Sequence, residues 1–127
     1  MMMPYNKHIG VLLIRLGLAY VFIIHGWSKF MNIAGTTQFF ASLGLPWFMV
    51  YFVAGVEVLG GLAILLGIRT QWAGFVLAIN MLAAMMLTTS PRGFAGHEFE
   101  MILFLMALAA AFIGAGKYAV SSEKAED

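Results

Sequence analysis

The stretch Val53 to Gln71, VAGVEVLGGLAILLGIRTQ, is apolar, rich in glycine and long enough to cross a bilayer, and it carries a carboxylate, Glu57, in its middle. An ionisable group at the centre of a membrane helix costs about 2.5 to 3.5 kcal/mol on insertion scales, so it is kept only where it faces protein or water and has a partner. Glu57 therefore predicts a buried polar site. On a helix, Ala54, Gly60, Gly61 and Ile64 share its face, which leaves little bulk around the carboxylate and lets a second helix approach closely. The rest of the chain is read as the supply of that helix, of a partner charge and of a way in from one side of the membrane.

Three further apolar runs accompany the first. Spans are expected at about 9–27, 47–68, 72–87 and 99–116, each near the roughly 20 residues that the hydrocarbon core requires. Charged residues are only 10% of the chain and hydrophobic ones 62%, against about 25% charged in soluble domains. With short connections, residues 1–127 read as one membrane domain with no room for a soluble catalytic module. Between the first two spans, Lys29 to Pro46 is too polar and too broken to cross. Within it, Thr36 to Leu43 predicts a short helix stopped by Gly44 and Pro46, with Phe39, Phe40 and Leu43 on its buried side. It reads either as a surface helix at headgroup level or as a lid over a lipid-facing site. The expected fold is thus all-α: a four-transmembrane-helix bundle with a short amphipathic helix in the first outer loop.

Arg15 interrupts the first run and no small-residue cleavage site closes it, so this segment reads as a retained helix and not a signal peptide. Thr88 to Gly96 reads as a loop, and Lys117 to Asp127 as a short, charged, frayed tail. Lys7, Arg69, Lys117 and Lys124 fall on the side of the termini, against Lys29 and Arg92 opposite, which places both termini in the cytoplasm.

Composition also removes chemistries. The chain has no cysteine, hence no disulfide exchange, thiolate nucleophile or iron–sulfur ligation. A net charge of +1 without a basic stripe gives no nucleic-acid partner. Met81, Met85 and Met86 read as flexible packing residues and not as copper ligands. Gly55, Gly60, Gly61 and Gly67 lie inside an apolar helix and not after a strand, so they form no dinucleotide fingerprint.

Two constellations carry the remaining polar residues. On the first span Arg15, Ala19, Phe22, Gly26 and Lys29 form one stripe. Arg15 lies about six residues from the cytoplasmic end of its span and Glu57 about ten from the same end of the next, a gap of roughly 6 Å. An Arg15–Glu57 ion pair is expected, with Asn80 as its third member. Asn80 alone reads as interhelical glue or as a ligand contact. The second constellation gathers at the outer mouth: His25, Trp27 and Lys29 from the end of the first span, with His97, Glu98 and Glu100 at the start of the fourth. These read as rim residues, as proton carriers beside a bound headgroup, or as a metal site. His97 and Glu100 lie three apart, but no second strong ligand motif accompanies them, and no metal is assigned.

From about Arg15 to Tyr118 the chain resembles the DoxX family of small four-helix membrane proteins. The resemblance rests on Arg15, Gly26 and Lys29, on Phe40, Gly44 and Pro46, and above all on Glu57, Gly60, Gly61, Leu65, Gly67 and Arg69. Gly114 to Tyr118, GAGKY, is similar to the family's closing pattern, with Ala115 where a proline is usual and Ser121 and Ser122 where an acidic residue often follows. The resemblance implies an oxidoreductase component of a bacterial inner membrane, with relatives linked to thiosulfate or quinone oxidation and to oxidative-stress complexes containing soluble redox enzymes. More distant relatives look like assembly factors or chaperones.

Two functions of different classes are consistent with these residues. In the first, a quinone-like molecule binds between the helices in contact with Arg15, Glu57, Asn80, Trp27 and Lys29, and the catalytic candidates are His25, Glu57 and Glu100. No resident cofactor is evident, so a redox role needs a quinone or a bound cofactor from outside. In the second, the chain is a non-catalytic anchor or assembly subunit for a redox enzyme or membrane client. Membrane lipid is the expected surrounding in both, and the small-residue faces allow a homo-oligomer.

Overall fold

A computed structural model describes residues 2–88 and 93–120. The loop positions around Arg92 and the tail from Ser121 onward, with Lys124, lie outside the described residues. Among the described residues five α-helices succeed one another: α1 (Lys7–Met31), α2 (Ile33–Ser42), α3 (Phe48–Leu66), α4 (Thr70–Leu87) and, after a 3₁₀ turn at Gly93–His97, α5 (Glu98–Ile113). α1, α3, α4 and the segment Ala95–Ile113 are each long and apolar enough to cross a membrane. The chain is a multi-pass membrane protein.

Local signals set the helix ends. The Asn6 side chain caps α1, its oxygen accepting from the N–H groups of His8 and Ile9 at 3.1 Å, which satisfies donors that a helix start leaves free. Asn32 separates α1 from α2 and caps the latter by accepting from the Gly35 N–H at 3.2 Å. α2 therefore starts at Ile33, three residues before the start expected from the apolar pattern. It ends at Ser42, ahead of Gly44 at φ 81° and Pro46. Of the three apolar residues expected to be buried on it, Phe40 is buried, Leu43 is half-buried and Phe39 is more than half exposed.

The long helices form two antiparallel pairs, α1 on α3 and α4 on α5, which meet more loosely along α3–α4 and α1–α5. Close approach of backbones fixes the first pair. A Cβ on Gly26 would lie 2.8 Å from the Ala54 carbonyl oxygen and 2.9 Å from the Val58 nitrogen, and one on Gly61 would lie 3.2 Å from the Ile23 nitrogen. Small residues thus lock one register, in which Gly26 sits between Ala54 and Val58, and Gly61 between Ala19 and Ile23. Leu18, Phe22, Ile64, Leu77 and Ala107 fill the shared core.

The fourth span stops earlier than expected. α5 ends at Ile113, because Gly114 at φ 82° and Gly116 at φ 71° turn the chain out of helical geometry. The segment after α5 is tied down as well: the Lys117 N–H donates to His8 Nδ1 at 3.2 Å and the Val120 N–H to the Leu66 carbonyl at 2.8 Å. The start of the tail, expected to be frayed, is pinned beside the start of α1. Both ends of the described chain therefore lie at one end of the bundle, with α2 at the other.

Candidate functional site

α1 carries two cations into the bundle, and they meet very different surroundings. Arg15 is buried and gives its guanidinium wholly to backbone carbonyls. Nε donates to Ile64 at 2.9 Å, Nη2 to Leu65 at 2.9 Å, and Nη1 to Ala115 at 2.9 Å and Tyr118 at 2.6 Å. Ile64 and Leu65 belong to the last turn of α3, where carbonyls lack the usual helical donors four residues on and where a cation is favoured by the helix dipole; the Ile64 carbonyl also accepts from the Gly67 N–H at 3.3 Å. The planar fork of arginine suits this use, since its five donors point outward in fixed directions.

The expected Arg15–Glu57 pair is therefore absent, and the register explains why. Gly67, not Glu57, lies opposite Arg15: a Cβ on Gly67 would come within 2.7 Å of Arg15 Nη2 and would collide with Ala119 Cβ. Glu57 lies ten residues before Gly67 in the chain, or about 15 Å back along α3. Gly67, at φ 72°, must be glycine on both conformational and steric grounds.

Glu57 instead pairs with Lys29, Nζ to Oε1 at 2.8 Å, with the carboxylate buried and the lysine side chain 22% exposed. The Lys29 ammonium also donates to the His25 carbonyl at 3.4 Å. This pair lies on the wall of a cavity of about 530 Å³ between the two helix pairs, at the α2 end. Its walls are overwhelmingly apolar, with Phe22, Val53 and Leu103 from three long helices and Phe39, Phe40 and Leu43 from α2. Asn80 of α4 also faces it, and among the described residues its amide has no hydrogen-bond partner. The glue expected of Asn80 is thus not formed, nor is its place beside Arg15.

The mouth residues divide. His25 and Glu100 line the cavity, whereas Trp27 is 60% exposed and lies outside it, as do His97 and Glu98. His25 Nδ1 is 2.8 Å from the Val21 carbonyl, which can only accept, so Nδ1 carries a proton directed there and Nε2 is the ring nitrogen left for other partners. His97 Nδ1 is 3.9 Å from Glu100 Oε2. No group of three or more His, Cys, Asp or Glu side chains converges on a metal-sized point among the described residues.

Sequence reasoning missed the role of Lys29 as the partner of Glu57 and the carbonyl cage of Arg15. Lys29 does share the Arg15 stripe on α1, and that was the available signal. Which of the two cations meets the carboxylate depends on register, which the helical period does not set.

The DoxX family profile matches residues 10–90. Over 107 residues, 84% of this chain and 80% of the other, the sequence is 37% identical to a Bacillus subtilis protein named "Putative oxidoreductase CatD". Over 76 residues, 56% of this chain and 58% of the other, it is 41% identical to "Inner membrane protein YqjF" of Escherichia coli. An uncharacterized Haemophilus influenzae protein is 31% identical over 119 residues, 87% of each chain. No solved structure matches the chain.

Proposed function

The chain belongs to the DoxX family, and on that premise we propose that it is an inner-membrane component of an oxidoreductase system that holds a quinone-like molecule in the cavity at the α2 end. The observation that carries the reading is the cavity itself: about 530 Å³ of apolar space with Lys29, Glu57 and Asn80 on its wall. That volume falls within the roughly 300 to 1,000 Å³ of small-molecule sites, and the pattern of apolar walls with few polar groups matches them too. The residues fit a lipid-soluble ring with a polar head and an apolar tail. Such a molecule supplies the electron chemistry when bound; the chain supplies a dry pocket and hydrogen bonds.

The basic residues favour the terminal end as cytoplasmic, which sets the cavity in the outer half of the membrane. In this reading the phenylalanines of α2 cover the head, and the tail leaves through the apolar wall. His25 Nε2 and the Glu100 carboxylate, at the rim, pass protons between water and the head. Glu57 holds the Lys29 ammonium in place.

Native mass spectrometry of the protein extracted gently from its own membrane tests this. Co-purified quinone, reduced at least about tenfold in Glu57→Gln, is the expected result, a loss of the size that breaking a charged contact produces. A protein without quinone but with a stoichiometric protein partner replaces the reading with that of an anchor or assembly subunit.

A further inference from the structure

A quinone-like occupant is one of several amphiphiles whose apolar parts would fit these walls, and the polar groups decide among their heads. Resting on the quinone reading, we infer that the ligand's head is uncharged and offers hydrogen-bond acceptors, one a carbonyl taken by Lys29 Nζ and another polar group taken by the Asn80 amide.

Charge balance carries the first half. Lys29 and Glu57 are in contact at 2.8 Å, so together they present no net charge to the cavity. Glu100 at the rim adds a further carboxylate. An anionic head would meet two carboxylates and a lysine already neutralised, besides the cost of stripping its own water in an apolar pocket. A cationic head would compete with Lys29 for Glu57. A neutral carbonyl meets neither obstacle.

Donor accounting carries the second half. An ammonium has three N–H donors. Two of them are directed to Glu57 Oε1 and the His25 carbonyl, and the third has no acceptor among the described residues. Asn80 likewise brings two N–H donors and an oxygen to the cavity, and none is paired among the described residues. Unpaired polar groups at membrane depth are costly, so both are poised for a ligand that satisfies them.

The test uses the full chain in nanodiscs of zwitterionic lipid and equilibrium dialysis against four amphiphiles. These are a naphthoquinone with a decyl chain, an alkyl methyl ketone of matched length, decanoate and decyltrimethylammonium. The quinone and the ketone are expected to bind at least about tenfold more tightly than either ion. In Glu57→Gln the ammonium loses its counter-charge, and the ratio of decanoate to ketone affinity should rise about tenfold. Lys29→Met should weaken the ketone by a similar factor and Lys29→Arg should largely keep it. A purely structural pair would not shift preference by ligand charge.

Decanoate or the ammonium amphiphile binding as tightly as the ketone to the unmodified protein overturns the inference, with no variant needed. So does an unchanged decanoate-to-ketone ratio in a folded Glu57→Gln protein. Ketone and quinone binding alike, with no quinone in the native extract, would remove the redox reading and leave the neutral head standing. Native quinone found in a protein that also binds decanoate equally well would do the reverse.

Discussion

Arg15 and Lys29 lie on the same face of α1, yet Arg15 ties three segments together and Lys29 faces a cavity. At the terminal end, Arg15 reaches four carbonyls, and the Val120 N–H satisfies that of Leu66 beside them. At the α2 end, Lys29 and Glu57 form a single contact beside a cavity of about 530 Å³, with the Asn80 amide unpaired on its wall among the described residues. The contrast separates two arrangements of buried polarity in a membrane: a saturated group that holds segments together, and an unsaturated one that faces a cavity and that the proposed ligand would satisfy.

The largest effect should come from breaking the saturated end. Arg15→Met takes the guanidinium donors from four carbonyls, of which, among the described residues, Ile64 alone keeps a second donor, the Gly67 N–H at 3.3 Å, and even with partial rehydration of the others the protein should be destabilised by at least about 3 kcal/mol. Thermal unfolding in detergent measures this, and the segment from Gly114 to Val120 should become more accessible to protease. Arg15→Lys should recover little, since a lysine cannot present the fork that spans α3 and the segment after α5. Gly67→Val comes next, at about 2 to 3 kcal/mol, because it combines an unfavourable φ with a collision at Ala119. Neither change should alter which amphiphiles the surviving folded protein binds.

The same contrast shows what the sequence can and cannot convey. The long helices were legible from hydropathy because a bilayer demands helices of near-fixed length. The face was legible too: period alone puts Arg15 and Lys29 on one stripe, facing the helix that carries Glu57. Depth was not. It depends on how far α1 slides along α3, which is settled by Gly26 lying against Ala54 and Gly61 against Ile23. Nor was the tail legible as structure, since Gly114 and Gly116 look like punctuation at the end of a span. Their positive φ values instead aim the Ala115 and Tyr118 carbonyls at Arg15. The cavity members His25, Lys29, Glu57, Asn80 and Glu100 were all named from sequence as polar residues in or at the ends of spans, but only the α2 cover and the packing of the two helix pairs gather them.

At the open end the ordering of stability and binding should invert. Replacing both ions, Lys29→Met with Glu57→Leu, should change stability by less than about 2 kcal/mol in either direction, because a buried pair seldom outperforms apolar packing. Binding of the neutral amphiphiles should nevertheless fall at least about tenfold. Asn80→Leu should be milder on both counts. Removing an amide without a partner should raise stability by up to about 1 kcal/mol, while ketone binding weakens about fivefold. Loss of stability in Asn80→Leu would mean that the amide holds a structural contact, and the division between the two ends would weaken.

The smallest effect sharpens the boundary of the open end. Trp27 lies between His25 and Lys29 in sequence, and proximity alone would include it in the site. Successive residues of a helix turn by about 100°, so Trp27 points well away from both neighbours that it separates. It is 60% exposed and outside the cavity, where an aromatic ring with one polar edge suits the headgroup level. Trp27→Phe should therefore change the affinity of every amphiphile by less than about twofold, whereas Phe40→Ala, on a different helix but buried against the cavity, should weaken all of them together. A Trp27 variant that alters the preference for head charge would place the site's edge on the lipid-facing side of α1, outside the cavity at the α2 end.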